Sequence, residues 1–252
     1  MSTLAPSAPT GAVIRTEFKL FRREPGALFW IMVFPTALFL LLGSIPTFRE
    51  VGEAIPGIRL VDAYVPIVVL TAMLMAGLQA MPPVITGYRE RGILRRMSTT
   101  PVRPGTVLGA QMALHGTAAL VSAVLSLTVG RLVYDVALPR QGFGYVLALA
   151  LAICASLALG ALLSALARTQ KAANAVGAAA FFPMMFSAGL WMPVQTMPDI
   201  LARVVELLPF GAAAQVLGEA AAGDWPSWSH LGVLALWTVV LTAAAARWFR
   251  WE

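Results

Sequence analysis

Six long segments of this sequence contain no aspartate, glutamate, lysine or arginine, and this absence constrains the fold more than any other feature. They span residues 27–45, 64–87, 106–129, 143–167, 172–192 and 231–246. A helix needs about 20 mainly apolar residues to cross the hydrocarbon core of a bilayer. Charged residues make up 12% of the chain, against about 25% in an average soluble domain. The sequence therefore predicts an all-α integral membrane protein with six transmembrane helices.

Basic residues are distributed unequally between the two sides that six spans would create. The side that holds the N-terminus carries 13 of the 18 lysines and arginines, and the opposite side carries five. Because lysine and arginine are retained on the cytoplasmic side, both termini are predicted to be cytoplasmic. The net charge of +6 then reflects topology, and a nucleic-acid role has no support. Trp237, Trp248 and Trp251 are typical of a sixth helix anchored at the membrane interface.

The residues before the first span divide into a tail and an amphipathic helix. Residues 1–10 are rich in proline, serine, alanine and threonine, a composition typical of disorder. Residues 11–24 place apolar side chains on one face and basic ones on the other, which predicts a helix along the cytoplasmic membrane surface. Glu17 is an exception, because it projects from the apolar face. Residues 11–252 are predicted to form a single transmembrane domain.

The segment YRERGILRRMSTTPVRPG, residues 88–105, places five arginines between two uncharged spans. Ile93, Leu94 and Met97 form a short apolar stripe, and arginines surround the opposite face. Gly92 and the prolines that follow limit the helix, predicted at about 88–98, to about three turns. Two interpretations remain open. The arginines anchor the adjacent spans, or the basic helix is a surface that a soluble partner binds.

Residues 193–223 are hydrophobic but repeatedly interrupted by proline, at Pro193, Pro198 and Pro209. Neither half reaches spanning length, so we expect two short helices that enter the outer leaflet and return. Irregular backbone at membrane depth is tolerated only against protein or a water-filled cavity. This re-entrant element is therefore expected to cap an internal space.

The sequence contains no recognisable catalytic constellation. It has no GxxxxGK[ST] phosphate loop, no HExxH and no GxSxG, so the chain is predicted not to be an enzyme. No metal site is predicted; Cys154 and His115 are expected to be packing residues within their spans. Ion-coupled transport would require charged groups inside the membrane, which the six segments lack. Energy for uphill transport would therefore come from another protein.

Two stretches resemble, in order, the ABC type-2 exporter permease family. YRERGILRRMSTTPVRPGTVLGAQ resembles the cytoplasmic segment after the second span, with matches at Glu90, Arg91, Gly92, Leu94, Arg95, Thr100, Pro101 and Gly109. FFPMMFSAGLWMPVQTMPDILARVVELLPFGAAAQVLGEAAAG resembles the fifth span and the re-entrant helices, with matches at Phe182, Pro183, Ser187, Gly189, Pro193, Met197, Pro198, Pro209 and Gly223. With the N-terminal helix, the resemblance covers nearly the whole chain. It is nearest to bacterial drug-resistance permeases.

The resemblance implies a homodimer, or a dimer with a closely related permease, in the bacterial cell membrane. Each copy would bind a cytosolic ABC ATPase subunit, which would hold ATP and Mg²⁺. The coupling helix that contacts this ATPase would include Arg89, Glu90, Arg91, Gly92, Ile93, Leu94, Arg95, Arg96, Thr100 and Pro101. The N-terminal helix would be the connecting helix, with Glu17, Phe18 and Phe21 at its contact. Glu17 and Glu90, each on an apolar face, would meet an arginine there.

The resemblance also implies a substrate path, because the second and fifth spans would face each other across the dimer axis. The candidate path residues are Met73, Met75, Gln79, Asn174, Phe181, Phe182, Met185 and Phe186. Leu190, Trp191 and Met192 would form the outer gate. Methionine and aromatic side chains suit a hydrophobic or amphipathic cargo, such as a drug-like molecule or a lipid. For any single residue, contact with lipid or another helix is an equal alternative.

A second function from another class also fits the sequence. A membrane scaffold or sensor could dock a cytosolic partner on the basic helix without transporting anything. The response of a partner's ATP hydrolysis to substrate would distinguish the two functions.

Overall fold

The computed structural model describes residues 8–51, 57–97 and 105–249, with side chains described from Gly11 onward. The main helices in these ranges are α1 (Ala8–Phe21), α2 (Pro25–Ser44), α3 (Leu60–Glu90), α4 (Ile93–Met97), α5 (Gly105–Tyr134), α6 (Gly142–Leu166), α7 (Gln170–Ser187), α8 (Asp199–Glu206), α9 (Pro209–Ala222) and α10 (Trp228–Trp248). Helix α1 begins three residues before the predicted start of the amphipathic helix. Pro25 occupies the first turn of α2, where its missing N–H costs nothing.

Five of these helices, α2, α3, α5, α6 and α10, are long and apolar enough to cross a membrane. Helix α7 is the predicted fifth span, but it ends at Ser187 and begins with polar residues, and it is not among the five. Helices α8 and α9 meet at an angle of 95° and would add a sixth span only if counted as one broken span. The all-helical membrane architecture is confirmed, and the count of six spans stays a prediction.

Helix α3 is the central element of the bundle. In its most apolar stretch of 18 residues, 83% of the residues are buried. Between Tyr64 and Tyr88, only Gln79, Ala80 and Val84 are partly exposed, and all other residues are buried. It packs against α2, α5, α6, α7 and α9. The second span is thus enclosed by other helices of the same chain along most of its length. Between Tyr64 and Tyr88, its partly exposed residues lie within two adjacent turns in the second half of the helix. The substrate path that the resemblance implies for it stays a prediction.

Helices α2 and α3 each contain a wide, π-helical turn, at Phe29–Val33 and Met75–Ala80. Each turn lies just before a proline, Pro35 in α2 and Pro82 in α3. Proline has no N–H, so the carbonyl four residues earlier loses its usual helical donor. In both helices that carbonyl, of Ile31 or Leu78, lies inside the wide turn. The prolines therefore account for where the helices widen.

Glycines allow α6 and α7 to approach the wide turn of α3 closely. A Cβ atom at Gly160 would lie 2.0 Å from the Gly77 carbonyl oxygen, and one at Gly177 would lie 2.5 Å from the Leu78 carbonyl oxygen. Small residues let helix backbones meet in this way in membrane proteins. The Ser156 hydroxyl of α6 also donates to the Met73 carbonyl of α3. Backbone contact therefore fixes the centre of the bundle.

The α8–α9 bend is attached to α10. The indole N–H of Trp237 donates to the Leu207 carbonyl oxygen at 2.8 Å. His230 lies between two acids, with Nδ1 3.3 Å from Glu219 Oε1 and Nε2 3.9 Å from Glu206 Oε2. The bend therefore lies alongside the first half of α10, consistent with a re-entrant element. Trp237 lies near the middle of α10 and donates to the Leu207 carbonyl after α8. Its role as an interface anchor stays a prediction.

Cys154 also differs from the expectation that it packs in the core. Its side chain is exposed, on the same stripe of α6 as Val146 and Ala150. Hydropathy did not reveal this, because every face of α6 is apolar.

We predict that Gly160→Ala destabilises the bundle. The added methyl group would overlap the Gly77 carbonyl, so the backbones of α3 and α6 must separate, at a cost of about 1–3 kcal/mol. Thermal unfolding of the purified chain in detergent, followed by tryptophan fluorescence, would show a lower Tm.

The matched control is Gly109→Ala in α5, where the added methyl group would meet nothing within 4 Å. Alanine favours a helix interior by up to about 1 kcal/mol over glycine, so its Tm should be unchanged or higher. Equal stability of the Gly160→Ala and native chains would show that the close approach of α3 and α6 is wrong.

Candidate functional site

Helix α3 is separated from α4 by a glycine turn. Gly92 has a φ of 65°, in the left-handed region that glycine adopts without steric cost. Its N–H donates to the Arg89 carbonyl at 2.9 Å, which closes the last turn of α3. The predicted helix at 88–98 is thus the end of α3 followed by the separate five-residue helix α4.

Helix α4 has one buried side and one exposed side. Leu94 is 2% exposed and packs with Tyr88 and Val107. Ile93 and Met97 are partly buried around the same cluster. Arg95 and Arg96 are exposed, as is Glu90 just before the turn. The apolar side attaches α4 to the bundle, while the charged side points outward; Thr100 and Pro101 lie outside the described residues.

Arg89 is directed into the bundle. Its Nη1 donates to the Ser164 carbonyl at 3.0 Å and to the Ala167 carbonyl at 2.8 Å, both at the end of α6. Its guanidinium carbon lies 5.6 Å from the centre of the Phe249 ring. A cation at a helix C-terminus satisfies carbonyls that have no partner within the helix. Arg89 therefore connects α3 to α6, and this contact corresponds to the anchoring interpretation.

Glu17 connects α1 to the same region. It is 6% exposed, and its Oε2 accepts hydrogen bonds from the Tyr88 hydroxyl at 2.8 Å and from Gln111 Nε2 at 2.6 Å. Among the residues that the structure describes, Tyr88 and Gln111 are its hydrogen-bond partners, and no arginine of that part of the chain pairs with it. Burial raises the pKa of the Glu17 carboxyl above its ordinary value, although both hydrogen bonds oppose the rise. Helix α1 is thereby fixed to α5 and to the end of α3, beside α4.

The two phenylalanines of α1 have different positions. Phe21 is buried, and its ring makes an edge contact with the His115 ring at a centroid distance of 5.0 Å. His115 is fully buried, and its Nδ1 lies 2.9 Å from the Gln111 carbonyl oxygen. Phe18 is 50% exposed. Phe21 therefore packs α1 onto α5, whereas Phe18 lies on the outer side of the helix.

The predicted substrate-path residues fall into three groups. Met73, Met75 and Met185 are buried in the core between α3 and α7, where the Thr71 hydroxyl lies 3.8 Å from Met185 Sδ. Phe182 and Phe186 are exposed on α7, and Phe181 is partly buried. Gln79 and Asn174 line a cavity of about 290 Å³. The structure therefore does not bring these residues into one continuous surface within a protomer.

This smaller cavity, here the inner cavity, lies near the end of α3 that leads to α4. Its remaining lining residues are Glu24, Ala27, Trp30, Ala80, Pro83, Val84, Arg91 and Gln170. Burial raises the pKa of the Glu24 carboxyl, and the charge of Arg91 opposes this rise. The Arg91 guanidinium also lies 5.6 Å from the centre of the Tyr88 ring. The inner cavity thus combines apolar walls with two opposite charges beside α4.

The three predicted gate residues lie together after α7. The Leu190 carbonyl accepts a hydrogen bond from the Tyr64 hydroxyl at 3.0 Å. Trp191 is 54% exposed, and its ring stacks on that of Phe182 with centroids 6.2 Å apart. Met192 is partly buried against Val194, Met197 and Val205. This segment therefore connects α3, α7 and α8 at the end of the bundle opposite α4.

Sequence reasoning missed the partners of Glu17. Gln111 was recognisable as one of few polar residues in the third span, but Tyr88 stood out only as the start of the basic segment. The pairs are separated by 71 and 94 residues along the chain. No spacing rule connects positions so far apart, so only the packing of α1 against α3 and α5 identifies them.

We predict that Glu17 makes stability depend on pH. A raised pKa means that the folded chain binds this proton more tightly than the unfolded chain. This proton therefore adds to the free energy of unfolding. The added stability is fully present when the pH is below 4.5, the ordinary pKa of glutamate, and it is lost as the pH rises through the raised pKa of folded Glu17. Tm measured between acid and neutral pH should therefore fall less for Glu17→Gln than for the native chain.

Glu90→Gln, which removes an exposed carboxyl instead, should retain the native pH dependence. Glu24→Gln separates the contribution of the other acid near α1 whose pKa is raised. Identical Tm profiles for Glu17→Gln and the native chain would contradict the assignment to Glu17.

Comparison with known proteins agrees with this architecture. Residues 58–247, from the start of α3 to the end of α10, match the ABC-2 family transporter protein family. The chain is 24% identical over 224 residues to "Putative transport permease YvfS" of Bacillus subtilis (strain 168), an alignment that covers 86% of this chain and 87% of that protein. The family match extends over well more than half of the chain. This multi-pass membrane protein therefore belongs to the ABC-2 family of transporter proteins and is a transport permease.

Proposed function

We propose that this chain is the membrane subunit of an ATP-driven exporter whose energy comes from a separate cytosolic ATPase subunit. Permeases of this family generally work with such a subunit. The observation that carries the proposal is the two-sided helix α4, with Leu94 buried in the bundle and Arg95 and Arg96 exposed. A partner that binds the exposed side would bind an element already fixed to the spans. ATP and Mg²⁺ would be held by that partner.

The proposed orientation places α1, α4 and both termini in the cytoplasm of a bacterial cell. The 13 basic residues on that side support it, against five on the other. Helix α4 and the inner cavity then face the cytoplasm, and the α8–α9 element faces outward.

The exposed face of α7 supports a dimer, either of two copies or with a closely related permease. Val176, Phe182 and Phe186 are 49%, 60% and 37% exposed, and they lie on one side of the helix. Asn174 extends this side towards the inner cavity. Two copies that meet along α7 would bring their inner cavities near the dimer axis. In this arrangement the substrate path is formed mainly by α7. Helix α3, which is otherwise buried, contributes to the path only at Gln79 and its neighbours.

The contacts of α3 explain how force on α4 would reach the path. Leu94 packs on Tyr88, and Tyr88 binds Glu17 of α1. Arg89 binds the end of α6, which contacts the wide turn of α3 through Gly160. ATP-driven closure of the ATPase subunits would move α1, α3 and α6 together. The permease contributes different affinities for its substrate in the inward and outward states.

The proposed substrate is hydrophobic or amphipathic, a drug-like molecule, a lipid or a related compound. The inner cavity supports this class, because Trp30, Pro83 and Val84 provide apolar contact and Gln79, Glu24 and Arg91 provide polar groups. The proposed roles of the protein include multidrug efflux and antibiotic resistance. Membership of a transport family favours transport over the scaffold alternative.

We predict that the native chain, purified from its own membrane, retains an ABC ATPase subunit and that Glu90→Arg loses it. Glu90 is exposed, so the substitution reverses a charge beside α4 without disturbing the core. ATP hydrolysis in the purified sample, with identification of the bound subunit, is the measurement.

Glu50→Arg is the matched control, because Glu50 is an exposed acid in the connection between α2 and α3 at the opposite end of the bundle. It should retain the ATPase subunit. Absence of any ATPase with the native chain would contradict the exporter proposal, and full retention by Glu90→Arg would contradict the assignment of α4.

We also predict opposite labelling of the two ends of the bundle. In a Cys154→Ala background, Arg96→Cys should react with a membrane-impermeant maleimide only in inside-out vesicles. Leu138→Cys, at a residue 55% exposed in the opposite loop, should react in intact cells. The reverse pattern would invert the proposed topology.

A further inference from the structure

Three aromatic side chains lie together at the end of the bundle opposite α4. Phe143 is in the first turn of α6, Trp228 begins α10, and Trp225 lies in the connection between α9 and α10. The rings of Phe143 and Trp225 are stacked with centroids 6.0 Å apart, and those of Trp225 and Trp228 are tilted with centroids 5.8 Å apart. These three residues are here the aromatic cluster.

The aromatic cluster is exposed at the surface of the protein. Phe143 and Trp228 are each 73% exposed, and Trp225 is 39% exposed. A group of exposed apolar rings marks a surface that contacts another protein or a membrane. The residues that continue this surface along α6 and α10 distinguish the two.

Helix α10 carries a second exposed tryptophan, Trp248, at its other end. The helical rise between Trp228 and Trp248 is about 30 Å, and the hydrocarbon core of a bilayer is also about 30 Å thick. Between the two tryptophans, the exposed side chains of Leu236, Val239 and Val240 are apolar. The spacing therefore fits a helix that crosses the hydrocarbon core with one tryptophan at each boundary.

Helix α6 continues the same surface. From Phe143, its exposed stripe runs through Val146, Ala150 and Cys154. Helices α6 and α10 pack along each other, so both apolar stripes begin at the aromatic cluster. Neither stripe belongs to α7, the helix to which we assign the dimer contact. Lipid is therefore the occupant that the position of these stripes favours.

Charged residues begin where the two stripes end. Asp224, next to Trp225 in the sequence, and Arg140, just before α6, are both exposed. A Cβ atom at Gly223 would lie 3.3 Å from the Cβ atom of Arg140, so the two connections lie against each other. The aromatic cluster thus lies between a charged surface and an apolar one. Tryptophan is enriched at this boundary in membrane proteins, because its ring is apolar and its N–H needs an acceptor.

The aromatic cluster is attached to two helices of the bundle. Pro226 is buried, and a Cβ atom at Gly144 would lie 2.5 Å from the Cδ atom of Pro226. The backbone N–H of Ser227 donates to Glu219 Oε2 at 2.6 Å. The connection that carries Trp225 therefore contacts both α6 and α9, so whatever holds the cluster also holds the end of α9.

We propose that the aromatic cluster binds the interfacial layer of the membrane, where lipid headgroups meet acyl chains. The rings of Phe143 and Trp228 lie against the acyl chains near the headgroups, and the tryptophan N–H groups donate to lipid ester or phosphate oxygen atoms. This contact holds the start of α10 and the end of α9 at a fixed depth. Only the assignment of this layer to the outer leaflet rests on the proposed function and its orientation.

Depth-dependent quenching tests the proposal on the full-length permease in phosphatidylcholine liposomes. In a Cys154→Ala background, Ser229→Cys places an NBD fluorophore beside Trp228, at an exposed position outside the cluster. Spin labels on acyl carbon 5 should quench it more strongly than spin labels on carbon 12, because carbon 5 is nearer the interface. Leu236→Cys is the matched control, also exposed and about 10 Å further along the same helix. Its quenching should be stronger from carbon 12.

A second set of variants tests whether the rings hold this depth. Phe143→Ala combined with Trp228→Ala should reduce the excess of carbon-5 over carbon-12 quenching at position 229, because the start of α10 loses its interfacial contact. Phe29→Ala removes an exposed ring at the opposite end of the bundle and should leave that excess unchanged. Native-like Tm values would show that these variants fold.

Stronger quenching from carbon 12 at position 229 would place the cluster in the hydrocarbon core and overturn the proposal. Quenching by aqueous iodide alone would place the cluster in water, and quenching by neither agent would show that protein covers it. Each of these results would overturn the proposal, as would an unchanged excess after loss of both rings.

These measurements use the permease alone, with spin labels in both leaflets, so they depend neither on an ATPase nor on the orientation of the chain. An interfacial cluster in a chain that retains no ATPase would leave this surface and contradict the exporter. A cluster away from the interface in a chain that retains the ATPase would contradict only the surface.

Discussion

The need to satisfy backbone carbonyls at helix ends governs how this bundle is joined. The last carbonyls of a helix have no N–H partner within that helix, so donors from other side chains can bind them. Arg89 supplies donors to the end of α6, Arg59 to the carbonyls of Tyr134 and Asp135 after α5, and Arg49 to Gly43 near the end of α2. Trp237 does the same for Leu207 after α8. Arg49 acts within its own segment, and the other three side chains connect segments that are distant in the sequence.

The same requirement divides the arginines of the basic segment between two roles. Arg89 faces inward and satisfies carbonyls, whereas Arg95 and Arg96 are exposed on α4. Arg89 makes the contacts of the anchoring interpretation, while the partner surface proposed above rests on Arg95 and Arg96. A partner that moved α4 would act on an element already attached to α1, α3 and α6. Glu17 and Tyr88 make this attachment polar, and burial raises the pKa of the Glu17 carboxyl above its ordinary value.

A closely packed part of α3 separates the inner cavity from a larger cavity at the opposite end of the bundle. The inner cavity reaches Gln79, and the larger cavity reaches Ile67. Between them α3 is buried throughout, with Gly160 and Gly177 of the neighbouring helices against its wide turn. The wide turn, where the helical hydrogen-bond pattern already changes, is a natural place for α3 to bend. Under the proposed function, movement there would connect the inward and outward states.

The sequence by itself determined the helical membrane fold, the break at Gly92, the two-sided α4 and the interrupted element at 193–223. Uncharged length, proline and glycine act locally, and hydrocarbon forces the backbone into helices. Only the tertiary structure decided that α3 is enclosed, that Met73 and Met185 are core residues, that Cys154 is exposed, and that Tyr88 and Gln111 bind Glu17. Lipid tails are as apolar as leucine, so hydropathy does not distinguish a face that packs on protein from one that contacts lipid.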